Sequence, residues 1–295
     1  MSLKSKIIIL FIRIIGSLPL SWVRHMGAVV ARLSWMIQTR DAKVTQTNID
    51  MCFPLLDEQQ RRDLARQSLI ETGKLALEIC SVWMNDSTWL QPKLKKTHGE
   101  QLLVDALAKQ KGVIVLAPHF GNWEVLGRFL PNYAQTTNLY QPPKQAFIEP
   151  LMRASRGRDG AVLAPASLRG VSQLLVALKK GGITGILPDQ CPDQGSGIFS
   201  PFCGHSAYTI TLVHGLLQRT GCQVLLAAAK RVKNGFEIYY IEPDKAIYSD
   251  DVQTSVDALN KTVESCLALA PEQYQWEYKR FKKRPEGEAK LYQYK

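Results

Sequence analysis

The sequence predicts an α/β fold: a mixed, mainly parallel sheet flanked by helices, preceded by an N-terminal membrane-anchoring helix. Three observations predict it. Helical and strand-like patterns alternate from residue 101 to residue 241. Two short apolar runs, Gly112–Ala117 and Ile183–Leu187, each end at a proline followed by a polar side chain. Residues 7–23 carry no charge apart from Arg13. Helix–strand alternation is the mark of a sheet covered by helices.

Ile7–Val23 spans 17 residues, somewhat short of the about 20 that cross a bilayer as a helix. It lacks the small-residue cleavage site of a removed signal peptide. Lys4, Lys6 and Arg24 flank it and suit lipid phosphates. Residues 1–25 therefore read as an uncleaved anchor, inserted or lying in the interface, and residues 26–295 as a single α/β domain. The competing reading is a buried amphipathic helix.

Asp57 caps a helix whose apolar face runs through Leu64, Ser68, Ile70, Leu75 and Leu77. A helix over Gln101–Lys109 leads into strand Gly112–Ala117, which is short, β-branched and uncharged. Another helix begins near Phe147. A helix over Val171–Lys180 turns at Gly181-Gly182 into strand Ile183–Leu187. Ser206 reads as the N-cap of a helix over Ala207–Arg219, which turns at Gly221 into strand Gln223–Ala229. Lys233-Asn-Gly235 then folds the chain into an antiparallel hairpin with Phe236–Ile241, which makes the sheet mixed. The last helix runs from about Val252 to Leu269.

The net charge is +11, and it sits at the two ends. Residues 1–43 hold seven Lys/Arg against Asp41, and residues 271–295 hold seven against four Glu. The middle of the chain, with 23 basic and 21 acidic residues, is an ordinary globular balance. Basic ends suit anionic lipid, nucleic acid or an acidic protein. No aromatic–basic nucleic-acid motif accompanies them. Cys52, Cys80, Cys191, Cys203, Cys222 and Cys266 form no C-x-x-C pair and read as reduced thiols. Cys191, Cys203 and His205 lack a fourth partner at zinc-site spacing, so no metal is assigned. Phosphate-binding glycine loops and H-E-x-x-H are absent, and Gly204-His-Ser206-Ala-Tyr208 lacks the closing glycine of a nucleophile elbow.

The chemistry concentrates at Leu116-Ala-Pro-His-Phe-Gly-Asn-Trp-Glu124. His119 lies at the carboxyl end of a strand, where open α/β sheets hold their ligands. Asn122 caps the following helix, and Glu124, five residues past His119, is the carboxylate expected to fix the imidazole and balance its charge. Such a pair activates a hydroxyl; its bland alternative is a satisfied surface hydrogen bond. Leu187-Pro-Asp189-Gln190 repeats the strand–proline–polar pattern, so Asp189 opens on the same crevice if the two strands are neighbours. Otherwise Asp189 is a turn residue. Arg153, Arg156 and Arg158 form a cluster suited to phosphate or carboxylate, or else a solvated face.

His119-Phe-Gly-Asn-Trp-Glu124 resembles the H-x4-D/E signature of glycerolipid-type acyltransferases. The surrounding segments are similar to the lipid A late (secondary) acyltransferases of Gram-negative bacteria, the lauroyl/myristoyl type within the lysophospholipid acyltransferase superfamily. These segments are the N-terminal run, Asn48-Ile-Asp-Met-Cys-Phe-Pro54, the arginine cluster, Asp189-Gln190 through Gly197-Ile-Phe-Ser-Pro-Phe202 to Thr209, and Tyr274-Gln-Trp-Glu-Tyr-Lys-Arg-Phe-Lys-Lys-Arg-Pro285. The chain departs from the pattern at Cys191, where many members carry a second acid. The resemblance implies transfer of a fatty acyl chain from an acyl-carrier-protein thioester to a hydroxyl of a lipid A precursor (Kdo-lipid A type), at the cytoplasmic face of the inner membrane. It implies no other cofactor and no covalent intermediate. His119 would be the general base and Glu124 its partner. Arg156, Asp189, Asn122 and Arg158 would bind substrate or the developing oxyanion, with Asp189 positioning Arg156 or the acceptor. An acyl thioesterase, an acyltransferase for another glycolipid, and a non-catalytic basic protein binding membrane or nucleic acid are the alternatives.

Overall fold

A computed structural model describes residues 2–294. Its elements, in chain order, are α1 (Leu3–Ser17), α2 (Leu20–Met36), α3 (Arg40–Cys52), α4 (Glu58–Met84), α5 (Ser87–Leu90), β1 (Leu94–His98), α6 (Glu100–Ala108), β2 (Val113–Leu116), α7 (Trp123–Phe129), β3 (Thr137–Tyr140), α8 (Glu149–Gly157), β4 (Val162–Pro165), α9 (Leu168–Lys179), β5 (Ile183–Ile186), β6 (Gly197–Phe202), β7 (His205–Ile210), α10 (Leu212–Thr220), β8 (Gln223–Val232), β9 (Gly235–Ile241) and α11 (Val252–Ser265).

The main sheet has the order β1-β9-β8-β2-β5. Its pairs are parallel except β8 with β9, the hairpin turned at Asn234, whose φ is +60°. The mixed, mainly parallel sheet expected from the sequence is therefore present. β2 lies inside it, and its four residues are fully buried. Alternate residues serve opposite faces, as strand geometry requires. Ile114 and Leu116 join a core with Leu174 of α9, Leu216 of α10 and Leu259 of α11. Val113 and Val115 join another with Leu103 of α6, Leu126 of α7 and Phe236 of β9.

The N-terminal region differs from the single anchor helix expected over residues 1–25. Pro19 forces Leu18 into an extended conformation, with ψ at 155°, and splits the run into α1 and α2. At about 1.5 Å per residue, α1 with its 15 residues falls well short of a hydrocarbon core. Among the described residues, no helix is long and apolar enough to cross a membrane. Both helices instead pack against α4 through one face, burying Ile12, Ile15 and Val23 beside Cys80. Ile7, Leu10, Phe11 and Ile14 of α1, and Trp22, Val30, Leu33 and Met36 of α2, stay exposed.

The α2–α4 crossing depends on two glycines. A Cβ on Gly27 would lie 2.2 Å from the Gly73 carbonyl oxygen, and one on Gly73 would lie 2.4 Å from that of Gly27. Gly27→Ala is expected to push the helices apart at a cost of about 1–3 kcal/mol, the usual range for overpacking. Denaturant unfolding checks this, and an unchanged midpoint would refute the close contact.

One expected helix is in part a strand. Residues 207–210, expected with 211–219 as one helix capped by Ser206, lie instead in a strand, 205–210, that pairs antiparallel with 197–202. Cys203 and Gly204, at φ of +49° and +77°, make a tight turn of the kind that matches strand twist. Thr209 is then bonded by Asn260 of α11 and by Arg280, contacts remote in sequence that favour the strand. Only α10 remains helical.

Candidate active site

β2 and β5 are parallel neighbours, with Leu116 paired to Ile186. His119 and Asp189 each follow their paired residue by three positions and each follow a proline, so they emerge side by side at the carboxyl edge of the sheet. His119 Nδ1 lies 2.8 Å from Asp189 Oδ1, and the backbone N–H of His119 donates to Asp189 Oδ2, also at 2.8 Å. The side-chain amide of Gln190 donates to His119 Nε2 at 3.1 Å. This arrangement puts the proton on Nδ1, toward Asp189, and the lone pair on Nε2. Burial opposes ionisation of Asp189. The His119 imidazole beside it, with its two hydrogen bonds, and Arg280 beyond outweigh that and hold the carboxyl below the usual carboxylate range.

The expected partnership of His119 with Glu124 is corrected by this geometry. Glu124 lies in the first turn of α7, buried, and its carboxylate takes the guanidinium of Arg156. Arg156 Nη2 donates to Oε1 at 2.6 Å and Nε donates to Oε2 at 3.1 Å, a two-pronged pairing. Helical spacing explains the swap. Four residues of turn and helix separate the two side chains, and Glu124 leaves the helix toward α8 rather than back over the strand end. Asp189 likewise positions His119, not Arg156.

Trp123 joins the two halves. Its ring meets the His119 imidazole edge-on at 5.2 Å, and the Arg156 guanidinium lies over it at 5.3 Å, with Tyr140 on another side at 5.9 Å. Arg156 keeps about a quarter of its side chain exposed, so it can reach a ligand. Burial works against its charge, but Glu124 prevails and its pKa rises further. Beside this pair lies a recess lined by Ala117, Leu126, Leu130, Leu139, Leu163 and Leu187, with Glu124 and Arg156 also in its wall.

Three other residues singled out in the sequence are elsewhere. Arg158 donates to the carbonyls of Trp83 (3.2 Å) and Asn85 at the carboxyl end of α4. A cation there answers the negative end of the helix dipole, so Arg158 serves α4 rather than the crevice. Arg153 pairs with Glu149 on the surface of α8. Asn122 makes no side-chain cap on α7; it is fully buried, and its amide donates to Glu78 at 3.2 Å.

Sequence reasoning missed Glu78, Arg231 and Gln275. Gln275 donates its backbone N–H to the His119 carbonyl at 3.0 Å, and its side chain accepts from Gln190 at 3.3 Å. A signal existed for Glu78: an acid in helical register with Leu75 and Val82, on the buried face of α4.

A polarised imidazole at a strand end, an ion-paired arginine within one aromatic ring of it and an apolar recess alongside are the parts of an acyl-transfer enzyme. The chain belongs to the bacterial lipid A biosynthesis acyltransferase family, whose model matches residues 3–283. It is 27% identical over 286 residues to the lipid A biosynthesis lauroyltransferase of Escherichia coli (strain K12), covering 95% of this chain and 91% of that one. It is 26% identical over 281 residues to the palmitoleoyltransferase of the same organism, covering 93% and 90%. A lipid A biosynthesis acyltransferase of Haemophilus influenzae is 26% identical over 245 residues, or 82% and 76% of the two chains. The protein is an acyltransferase.

Proposed function

We propose that this enzyme moves a fatty acyl chain from an acyl-carrier-protein thioester to a hydroxyl of a lipid A precursor of the Kdo-lipid A type. The observation that carries the mechanism is the His119–Asp189 pair, which leaves Nε2 as an oriented base. The acceptor hydroxyl takes the place of the Gln190 amide at Nε2. Its oxygen attacks the thioester carbonyl while its proton passes to Nε2. The developing oxyanion faces Arg156, and Glu124 keeps that guanidinium aimed. Collapse breaks the carbon–sulfur bond, and the departing thiolate takes the proton back from His119. A thioester is already activated, so the reading needs neither a covalent intermediate nor a further cofactor.

The apolar recess suits the acyl chain, because removing its methylenes from water gains about 0.8 kcal/mol each. The exposed apolar row of α1 and α2, with Lys4, Lys6 and Arg13 on α1, suits a helix pair lying in the interface at the cytoplasmic face of the inner membrane. Basic ends also suit the acidic carrier protein and the lipid phosphates.

The test is incubation with labelled acyl-carrier thioester, with and without the lipid A precursor. Acylated lipid is expected, with a loss of about 10²–10⁴-fold in His119→Ala, the usual worth of a general base. Free fatty acid regardless of acceptor would make the protein a thioesterase instead, and full activity in His119→Ala would refute the mechanism.

A further inference from the structure

A buried charged network lies behind the catalytic loop and touches none of the reacting groups. Glu78 of α4 is its hub, with no side-chain exposure. One carboxylate oxygen takes Arg24 of α2. The other takes Arg231 Nε of β8 at 2.9 Å and the Asn122 amide at 3.2 Å. Arg231 goes on to Glu71 at 2.7 Å and donates to the Gly121 carbonyl at 3.3 Å. Gln273 clamps Arg231 in both directions, accepting from its N–H at 2.8 Å and donating to its carbonyl at 2.9 Å, while the Gly121 N–H donates to the Gln273 carbonyl at 2.9 Å. Arg24 also holds the carbonyls of Val232 (2.5 Å) and Gly235 (2.9 Å).

The network therefore grips residues 121 and 122, midway between His119 and Glu124. Gly121 has no freedom of its own to spare: its φ is +56°, and a Cβ there would lie 2.0 Å from the Ala229 carbonyl oxygen. Buried ion pairs are a poor source of stability, since desolvation offsets most of the attraction and apolar side chains of similar volume do as well. They can do something that apolar packing cannot, which is to fix the direction of backbone carbonyls and an amide side chain. Here those groups set where His119 stands relative to Glu124 and Arg156.

We infer that Glu78 is a positioning residue for the catalytic loop, and that Arg24 links the N-terminal helix pair to it. The inference rests on the acyl-transfer reading above. Misplacing a reacting group by about 1 Å can cost 10²-fold. The full-length protein with Glu78→Gln, which keeps the shape but loses the charge, tests it against the unaltered enzyme. The readouts are kcat, KM for each substrate, the unfolding midpoint, and hydrogen exchange at the amides of residues 119–124. Expected are a fall in kcat of about tenfold or more, unchanged KM, and faster exchange at those amides while β2 keeps its protection. If Glu78→Gln does not fold, Asn122→Ala, which cuts one hydrogen bond, must give the same pattern at smaller size. A folded variant with unaltered kcat overturns the inference, whatever its exchange; so does a kcat loss that only tracks unfolded protein, or failure of both variants to fold. If the unaltered protein transfers no acyl chain, the functional reading fails, while the exchange data still show whether Glu78 holds the loop.

Discussion

Asp189→Asn is expected to keep the fold and to lose on the order of 10⁴-fold in kcat, as replacing the buried acid of a Ser-His-Asp triad by its amide does. Asp189 Oδ1 accepts the proton of His119 Nδ1, and Oδ2 accepts the backbone N–H. An asparagine can still accept from the backbone through its oxygen. Its NH2 then faces Nδ1 and forces the imidazole proton onto Nε2, where the acceptor hydroxyl needs a lone pair. Glu124→Gln should leave that tautomer intact. If Glu124→Gln is the more damaging change at Nε2 and Asp189→Asn is harmless, the assignment of the orienting acid is wrong. The same substitution has a pH signature. The Asp189 carboxyl is held below its unfolded value, about 3.9. Its contribution to stability is thus present above about pH 4 and fades as pH falls through the lower folded value. The stability gap between the unaltered protein and Asp189→Asn should narrow on acidification below about pH 4. Urea unfolding at several pH values measures it, and a gap that widens would contradict the pairing.

Arg156→Met is the second large effect, a loss of about 10²–10³-fold in kcat if the guanidinium faces the oxyanion. It should also destabilise the fold, because Glu124, 3% exposed, would be left buried without its partner. Stranding one member of a buried pair typically costs about 3–5 kcal/mol. The two effects separate in the double variant Arg156→Met/Glu124→Met. Removing both charges should restore most of the stability and none of the turnover. Recovery of kcat along with stability would mean that Arg156 serves the fold alone. Arg156→Lys is not a mild change here, since a single ammonium cannot make the two-pronged contact with Glu124.

Local pattern explains why much of the sheet could be read. Short apolar β-branched runs ended by proline mark β2 and β5, and Lys233-Asn-Gly235 marks the β8–β9 hairpin. The boundary errors are small where glycine or proline punctuates the chain. They are large where tertiary contacts choose between states. Residues 205–210 carry apolar residues that fit either period, and the turn at Cys203-Gly204 together with Asn260 and Arg280 selects the strand. β3 and β4, no shorter than β2 and β5, pair only with each other in a separate two-stranded sheet, and no local pattern in the sequence marks them.

The polar groups at the mouth of the site are visible in the sequence; their partnerships, and the supporting Glu78, Arg231 and Gln275, are not. Residue type and the repeated strand–proline–polar pattern single out His119, Asp189, Glu124 and Arg156, because those depend on composition and local geometry. Which carboxylate meets the imidazole depends on strand register and on the direction in which a helix leaves its turn. Parallel pairing of Leu116 with Ile186 brings Asp189 to His119, and the packing of α8 brings Arg156 to Glu124. Pro19 breaks the N-terminal run expected as one helix, and only α4 shows which side of each of the two helices is covered and which stays exposed. A one-dimensional pattern specifies elements and their ends. Contacts between segments some 70 residues apart, such as His119 and Asp189, are decided by the sheet and the helices packed on it.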